Sequence, residues 1–118
     1  MKNSKEKYTC TGNCEEDMKY IQDTLYVISG KWKMLIIVSL SNKNKRYTDI
    51  ARSIPRITYR MLSKELKEME QNKLVVRNIY KDTPVRIEYE MTDYCKTLWP
   101  MMIEMITWAK RHRELIFK

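Results

Sequence analysis

Ile57-Thr58-Tyr59-Arg60-Met61-Leu62-Ser63-Lys64-Glu65-Leu66-Lys67-Glu68-Met69-Glu70-Gln71-Asn72 is the stretch around which the rest of the chain is read. Leu62, Leu66 and Met69 recur at spacings of four and three, which puts one apolar stripe on a helix. Arg60, Ser63, Lys64 and Lys67 fall off that stripe and make a basic, hydrogen-bonding face. Thr58 stands where an N-cap is needed, and Asn72 closes the run as a residue that tolerates the left-handed C′ conformation. A helix buried on one side and basic on the other suits the major groove of DNA. Taken alone it equally suits a solvated mixed-charge surface, so its neighbours decide.

On its N-terminal side, Arg46-Tyr47-Thr48-Asp49-Ile50-Ala51-Arg52-Ser53-Ile54 spaces Tyr47, Ile50, Ala51 and Ile54 as a short helix. Pro55 disfavours helix at Ile54 and forces a turn. A short helix, a brief turn and a basic helix make a helix-turn-helix, here over residues 46–72. On the C-terminal side the period changes. Leu74 to Tyr80 is rich in β-branched residues, Lys81-Asp82-Thr83-Pro84 reads as a turn, and Arg86 to Met91 alternates with Ile87, Tyr89 and Met91 on one face. Residues 74–91 are therefore expected as a β-hairpin.

Two further helices precede this core. Met18, Ile21, Leu25 and Ile28 mark an amphipathic helix that ends near Gly30, and Trp32, Leu35, Ile36 and Leu40 mark another that stops at the polar loop Ser41 to Lys45. Residues 1–16, with Cys10 and Cys14 and no apolar periodicity, read as a flexible arm ahead of a single domain over 17–118. Thr92 caps a last helix over 92–114, apolar at Leu98, Trp99, Met102, Ile103, Ile106 and Ala109, which Pro100 is expected to kink. The first and last helices keep wide apolar faces far from the basic block, as a dimerisation layer would. Packing within one protomer is the alternative.

The chain has 118 residues and a net charge of +8, and residues 43–86 hold 12 Lys/Arg against 5 Asp/Glu, a balance of +7. Positive charge gathered in one block marks a polyanion-binding surface. Hydrophobic and charged fractions of 43% and 32% describe a globular chain with a modest core. Only Gly12 and Gly30 are glycines, which excludes Gly-rich phosphate loops and dinucleotide fingerprints. No apolar run approaches the ~20 residues that span a bilayer, and Met1 to Lys7 lead into polar sequence without a signal-peptide core. The chain is expected in the cytoplasm, with the nucleoid when bound to DNA and with no membrane partner. Its three cysteines are expected there as thiols.

Several of these motifs, in this order, resemble one family. They are Gly30-Lys31-Trp32-Lys33 opening a helix, Arg46-Tyr47-Thr48-Asp49-Ile50 after a basic loop, and Ile54-Pro55-x-Ile57-Thr58. To these add Met61-Leu62-x-x-Glu65-Leu66-Lys67-Glu68-Met69-Glu70, the hairpin Pro84 to Tyr89, and Thr92 with Pro100 and Trp108. The chain resembles the HxlR-type winged-helix regulators, relatives of the MarR group, over about residues 18–111. The resemblance implies a mainly α chain with a small β-hairpin (α+β). It is a winged helix-turn-helix with N- and C-terminal dimerisation helices, acting as a homodimeric, operator-binding transcription factor. Three positions depart from the pattern. The Cys-Pro slot before the first helix holds Lys19-Tyr20, and glycines frequent after the recognition helix and early in the last helix are Lys73 and Cys95.

The candidate DNA-binding residues are Thr58, Tyr59, Arg60, Ser63, Lys64 and Lys67 on the recognition helix, Arg77, Lys81 and Arg86 on the wing, and Lys45 and Arg46 before the short helix. Arg60 suits a bidentate contact to guanine, while Thr58 and Ser63 suit phosphates. Arg86 is open to pairing with Glu88 instead. Lys31 and Lys33 flank Trp32, which is read as core. Cys10 and Cys14, with Cys95 as a resolving partner across a dimer, are candidates for redox or electrophile sensing; inert thiols are the alternative. His112 has no nucleophile or carboxylate partner in sequence and reads as a surface residue. No catalytic constellation, metal site or cofactor motif is apparent. Glu65, Glu68 and Glu70 read as helix-surface carboxylates, and the methionines as adaptable core.

The function implied is a sequence-specific DNA-binding regulator on a pseudo-palindromic operator, read as a repressor with activation as the alternative. A small-molecule effector is not identified. The rival readings are a non-specific architectural nucleic-acid binder and a winged-helix protein–protein adaptor.

Overall fold

The structure is a computed structural model that describes residues 9–117. They divide into two compact units between Lys31 and Trp32. The residues before Thr9, half of the expected arm, lie outside the described part.

In the first unit, α1 runs Cys14–Ile28. It starts four residues before the apolar periodicity does, because capping chemistry sets the start. Asn13 Oδ1 accepts from Glu16 N–H at 3.2 Å, and Glu15, Glu16 and Asp17 place negative charge against the positive end of the helix dipole. Thr11 adds a clasp, its N–H and hydroxyl donating to the Asp17 carboxylate at 2.7 and 2.5 Å. Those bonds, the hydroxyl's first, hold the Asp17 carboxyl below its ordinary range. The last three residues assigned to the arm are thus helical. Cys10 and Cys14 form a disulfide, correcting the expectation of free thiols: the turn into α1 brings their Cα atoms to 5.2 Å, within bridging distance.

The second unit contains α2 (Lys33–Ser41), α3 (Tyr47–Ser53), α4 (Tyr59–Gln71), β1 (Val75–Tyr80), β2 (Arg86–Met91), α5 (Asp93–Lys96) and α6 (Trp99–Ile116). Its core is built from Ile36, Ile37 and Leu40 of α2, Ile50 and Ile54 at α3, and Leu62, Leu66 and Met69 of α4. Leu74, Val75, Tyr89, Cys95 and Met102 complete it. Each such aliphatic side chain contributes roughly 1.5–3 kcal/mol by leaving water. On α2, Ile36 and Leu40 of the expected stripe are buried, but Leu35 lies outside and Ile37 takes its place in the core.

The strands pair antiparallel from Val75↔Met91 to Tyr80↔Arg86. Two backbone links fix this hairpin to the helices. Tyr89 N–H donates to the Lys45 carbonyl at 2.8 Å, tying β2 to the loop before α3. At the hairpin base, Thr92 N–H donates to the Leu74 carbonyl at 3.0 Å and its hydroxyl to the Lys73 carbonyl at 2.7 Å.

α4 ends in a Schellman motif, with Leu74 N–H on the Met69 carbonyl and Lys73 N–H on the Glu70 carbonyl. The left-handed residue is Lys73, at φ 61°, not Asn72, at φ −89°. Asn72 instead turns its side-chain amide onto the Glu68 carbonyl at 3.1 Å. α2 closes the same way, with Lys43 at φ 67°.

The expected last helix is broken at Thr97–Leu98 into α5 and α6. Pro100 occupies the first turn of α6, where its missing N–H costs nothing, so it starts a helix and does not kink one. Beyond Met102, α6 stays bare: Ile103, Met105, Ile106 and Trp108 are all exposed, the last at 66%. On α1, Met18, Ile21 and Leu25 are exposed too. Among the described residues, no single helix is long and apolar enough to cross a membrane.

Candidate nucleic-acid interface

α3 and α4 are locked to one another by Tyr47. Its hydroxyl donates to the Tyr59 carbonyl and lies 2.6 Å from Ser63 Oγ. Because the phenol has one proton and spends it on the carbonyl, Ser63 is the donor in the second bond. The Tyr47 and Tyr59 rings lie 5.5 Å apart. Ser39 and Ser53 hydroxyls, 2.5 Å apart, join α2 to α3 in the same manner. In the turn between α3 and α4, Arg56 takes φ 71°, and the Ile57 N–H reaches back to the Ile54 carbonyl.

This scaffold leaves one face of α4 outside. Thr58 Oγ1 caps the helix by accepting from Met61 N–H at 3.1 Å. Tyr59, Arg60, Lys64 and Lys67 are exposed, while Leu62, Leu66 and Met69 are buried on the opposite side. Ser63 is exposed as well, with its proton committed to Tyr47. A shallow cleft of about 380 Å³ runs beside the start of α4, lined by Ala51, Arg52, Ile57, Thr58 and Tyr59. Arg52 and Arg56, both exposed here, were not singled out in the sequence; their membership of the basic block was the available signal.

The inner side of α4 holds a charge cluster that local pattern did not reveal. Lys33 of α2 sends its ammonium to Glu65 Oε2 at 2.7 Å and Glu68 Oε2 at 2.6 Å. Lys33 and Glu65 side chains are only 8% and 11% exposed, so Glu65 is not the surface carboxylate expected from sequence. Burial alone would lower the Lys33 pKa, but the two carboxylates outweigh it and the group is raised above its ordinary value. Glu68 is held below the usual carboxylate range, first by the hydrogen bond from Lys33.

On the hairpin, Arg77 and Lys81 are exposed. Arg86 is engaged within the protein: its guanidinium meets Asp82 at 2.9 Å and Glu88 at 2.6 Å and lies 4.2 Å from the Tyr80 ring centre. Of the two roles open to Arg86, the internal pairing is the one the geometry shows. Lys45 and Arg46 are exposed at the entrance to α3.

Cys95 is 1% exposed, and burial pushes its thiol pKa up, which disfavours the reactive thiolate. It borders a cavity of about 470 Å³ with Ser41, Met91, Lys96 and Trp99. His112 stacks on Trp108 at 4.8 Å on the outside of α6. Among the described residues no three His, Cys, Asp or Glu side chains converge as metal ligands would.

The helix-turn-helix braced on an antiparallel hairpin is matched at the level of families. The model of the HxlR-like helix-turn-helix covers residues 27–116. The chain belongs to this family. It is 34% identical over 98 residues to the HTH-type transcriptional regulator YdeP of Bacillus subtilis, covering 83% of this chain and 77% of YdeP. To the HTH-type regulator BH0655 of Halalkalibacterium halodurans it is 40% identical over 102 residues, covering 81% and 90%. Among solved structures it is similar to the redox regulator HypR in its reduced form, with 33% identity, a TM-score of 0.72, and coverage of 82% and 96%. It is also similar to reduced YodB from B. subtilis, with 34% identity, a TM-score of 0.71, and coverage of 78% and 90%. As an HxlR-like protein it is a DNA-binding transcriptional regulator with a winged helix-turn-helix, and not an enzyme.

Proposed function

We propose that this HxlR-like regulator binds a pseudo-palindromic operator as a homodimer and represses by occupying a promoter. The observation that carries the reading is the outer face of α4, where Arg60, Lys64 and Lys67 stand exposed together at helical spacing. In this reading Arg60 pairs with a guanine edge, and Thr58, Tyr59, Lys64 and Lys67 position the helix on the groove walls, while Ser63, expected from sequence to meet phosphate, gives its proton to Tyr47 and holds the helix to α3. Arg77 and Lys81 reach the flanking backbone or minor groove, and Lys45 and Arg46 meet phosphate beside α3. The bare apolar faces of α1 and α6 support dimerisation through those helices. Two recognition helices then meet half-sites about one turn apart, ~34–36 Å.

Selection of bound fragments from genomic DNA, followed by footprinting, tests this. A paired motif with that spacing is the expected result. Equal affinity for all duplexes would leave an architectural binder, and no duplex binding would leave a protein–protein adaptor.

The signal we propose is thiol oxidation at Cys10 and Cys14. The disulfide between them supports it, as do the similar structures of the redox regulator HypR and of quinone-bound YodB. Cys95 is too buried to share the role as the structure stands. Operator affinity is expected to differ between dithiothreitol- and diamide-treated protein, and a Cys10→Ser, Cys14→Ser variant is expected to lose the difference. Identical affinities in both conditions would remove the redox reading and leave DNA binding intact.

A further inference from the structure

Lys64 and Glu68 are four residues apart on α4, the spacing at which opposite charges pair along a helix. They do not pair here. Glu68 Oε2 is held 2.6 Å from Lys33 Nζ, and among the described residues no ion pair includes Lys64.

Lys33 does not need Glu68 for neutrality. Glu65, 2.7 Å away and nearly as buried, already supplies one negative charge. An ammonium has three N–H donors, however, and a second one reaches Glu68, whose side chain is 38% exposed at the edge of α4. The consequence falls on the outer face. A carboxylate drawn inward toward α2 is not available to the lysine four residues before it. The balance of influences on Glu68 agrees: the Lys33 hydrogen bond and charge depress its pKa most, and Lys64 contributes last.

We propose that Lys33 is a positioning residue for DNA binding: by holding Glu68 from behind α4, it leaves Lys64 unneutralised on the face that meets phosphate. The inference rests on the reading of that face as the DNA-contacting one. It extends the interface to a residue that touches no DNA and lies on a different helix. If Lys33 lets go, Glu68 swings to Lys64, and each α4 must break that pair before Lys64 engages a phosphate.

A thermodynamic cycle on the full chain tests it, with the selected operator duplex as probe and fold and urea midpoint checked for each variant. Lys33→Met with Glu65→Leu replaces the buried pair by apolar groups, an exchange that often preserves stability. This variant is expected to bind about three- to fivefold more weakly, the strength of one exposed helical pair at each of two helices. Its salt dependence is expected to be shallower. Adding Glu68→Gln is expected to restore both, whereas Glu68→Gln in the wild-type background gives a smaller gain.

Equal gains in the two backgrounds would overturn the inference, since they would report only a general charge effect. If K33M/E65L does not fold, Lys33→Gln, which keeps a donor for Glu65, carries the same cycle. Lys64→Ala separates the two levels of the argument. A loss of affinity in wild type upholds the DNA-contacting face even where the cycle shows no coupling; no loss overturns the face and this inference with it.

Discussion

The Tyr47 hydroxyl on α3 lies 2.6 Å from Ser63 Oγ on α4 while donating its proton to the Tyr59 carbonyl. The first helix of the helix-turn-helix thereby grips the second across its first turn, and the angle of the residues proposed to face the groove depends on that grip. Tyr47→Phe removes both bonds. With net hydrogen-bond contributions of about 0.5–1.5 kcal/mol each, the variant should lose about 1–3 kcal/mol in urea unfolding. Operator affinity should fall in folded protein as well; unchanged unfolding and binding would show the bonds to be idle.

Arg60 and Lys64 should separate in kind. Arg60→Ala is expected to cost about 1–3 kcal/mol of operator binding and to relax preference at one base pair of each half-site. Lys64→Ala should weaken all duplexes alike and flatten the slope of log K against log salt by about 0.9 for each phosphate no longer engaged. Competition binding against single-base operator variants, repeated at several salt concentrations, distinguishes the two.

The Lys33 cluster should give stability a two-sided pH profile. The Lys33 pKa is raised from 10.5, so its contribution is complete below that value and is lost as pH rises through the folded-state pKa. The Glu68 pKa is lowered from 4.5, so its contribution is complete above that value and is lost as pH falls through the folded-state pKa. The stability difference between wild type and a Lys33→Met, Glu65→Leu, Glu68→Gln variant should be flat between 4.5 and 10.5 and change outside that window. Urea titrations across the range would show it. A difference that varies within the window would point to other groups.

Lys73 and Asn72 should respond in opposite ways to glycine. At φ 61°, Lys73 carries the left-handed penalty of roughly 1–2 kcal/mol that glycine escapes, less glycine's entropic cost of about 0.5–1 kcal/mol. Lys73→Gly is therefore expected to stabilise by up to about 1.5 kcal/mol. Asn72→Gly, at φ −89°, loses the side-chain bond to the Glu68 carbonyl and should destabilise. Thermal melts of the two variants check the order.

What the sequence determined by itself was whatever depends on neighbours along the chain. Leu62, Leu66 and Met69 could make a stripe only on a helix, Ile87, Tyr89 and Met91 alternate only as a strand, and Thr58 and Thr92 cap because their hydroxyls reach N–H groups three residues on. Those local periods sufficed for the winged helix-turn-helix and for the outer face of α4. The left-handed turn at the end of α4 was placed within one residue, because helix ends are decided by a carbonyl ladder that either Asn72 or Lys73 can close.

Tertiary structure decided the rest. Lys33 and Glu65 are 32 residues apart, and no periodicity in either helix marks them as partners; only the packing of α2 on α4 turns a surface-type carboxylate into the other half of a buried pair. The same holds for Arg86, whose choice between DNA and the Asp82 and Glu88 carboxylates depends on the closing of the hairpin. Charge type and helical face are properties of sequence, but which charges remain free on that face is set by the residues folded behind it.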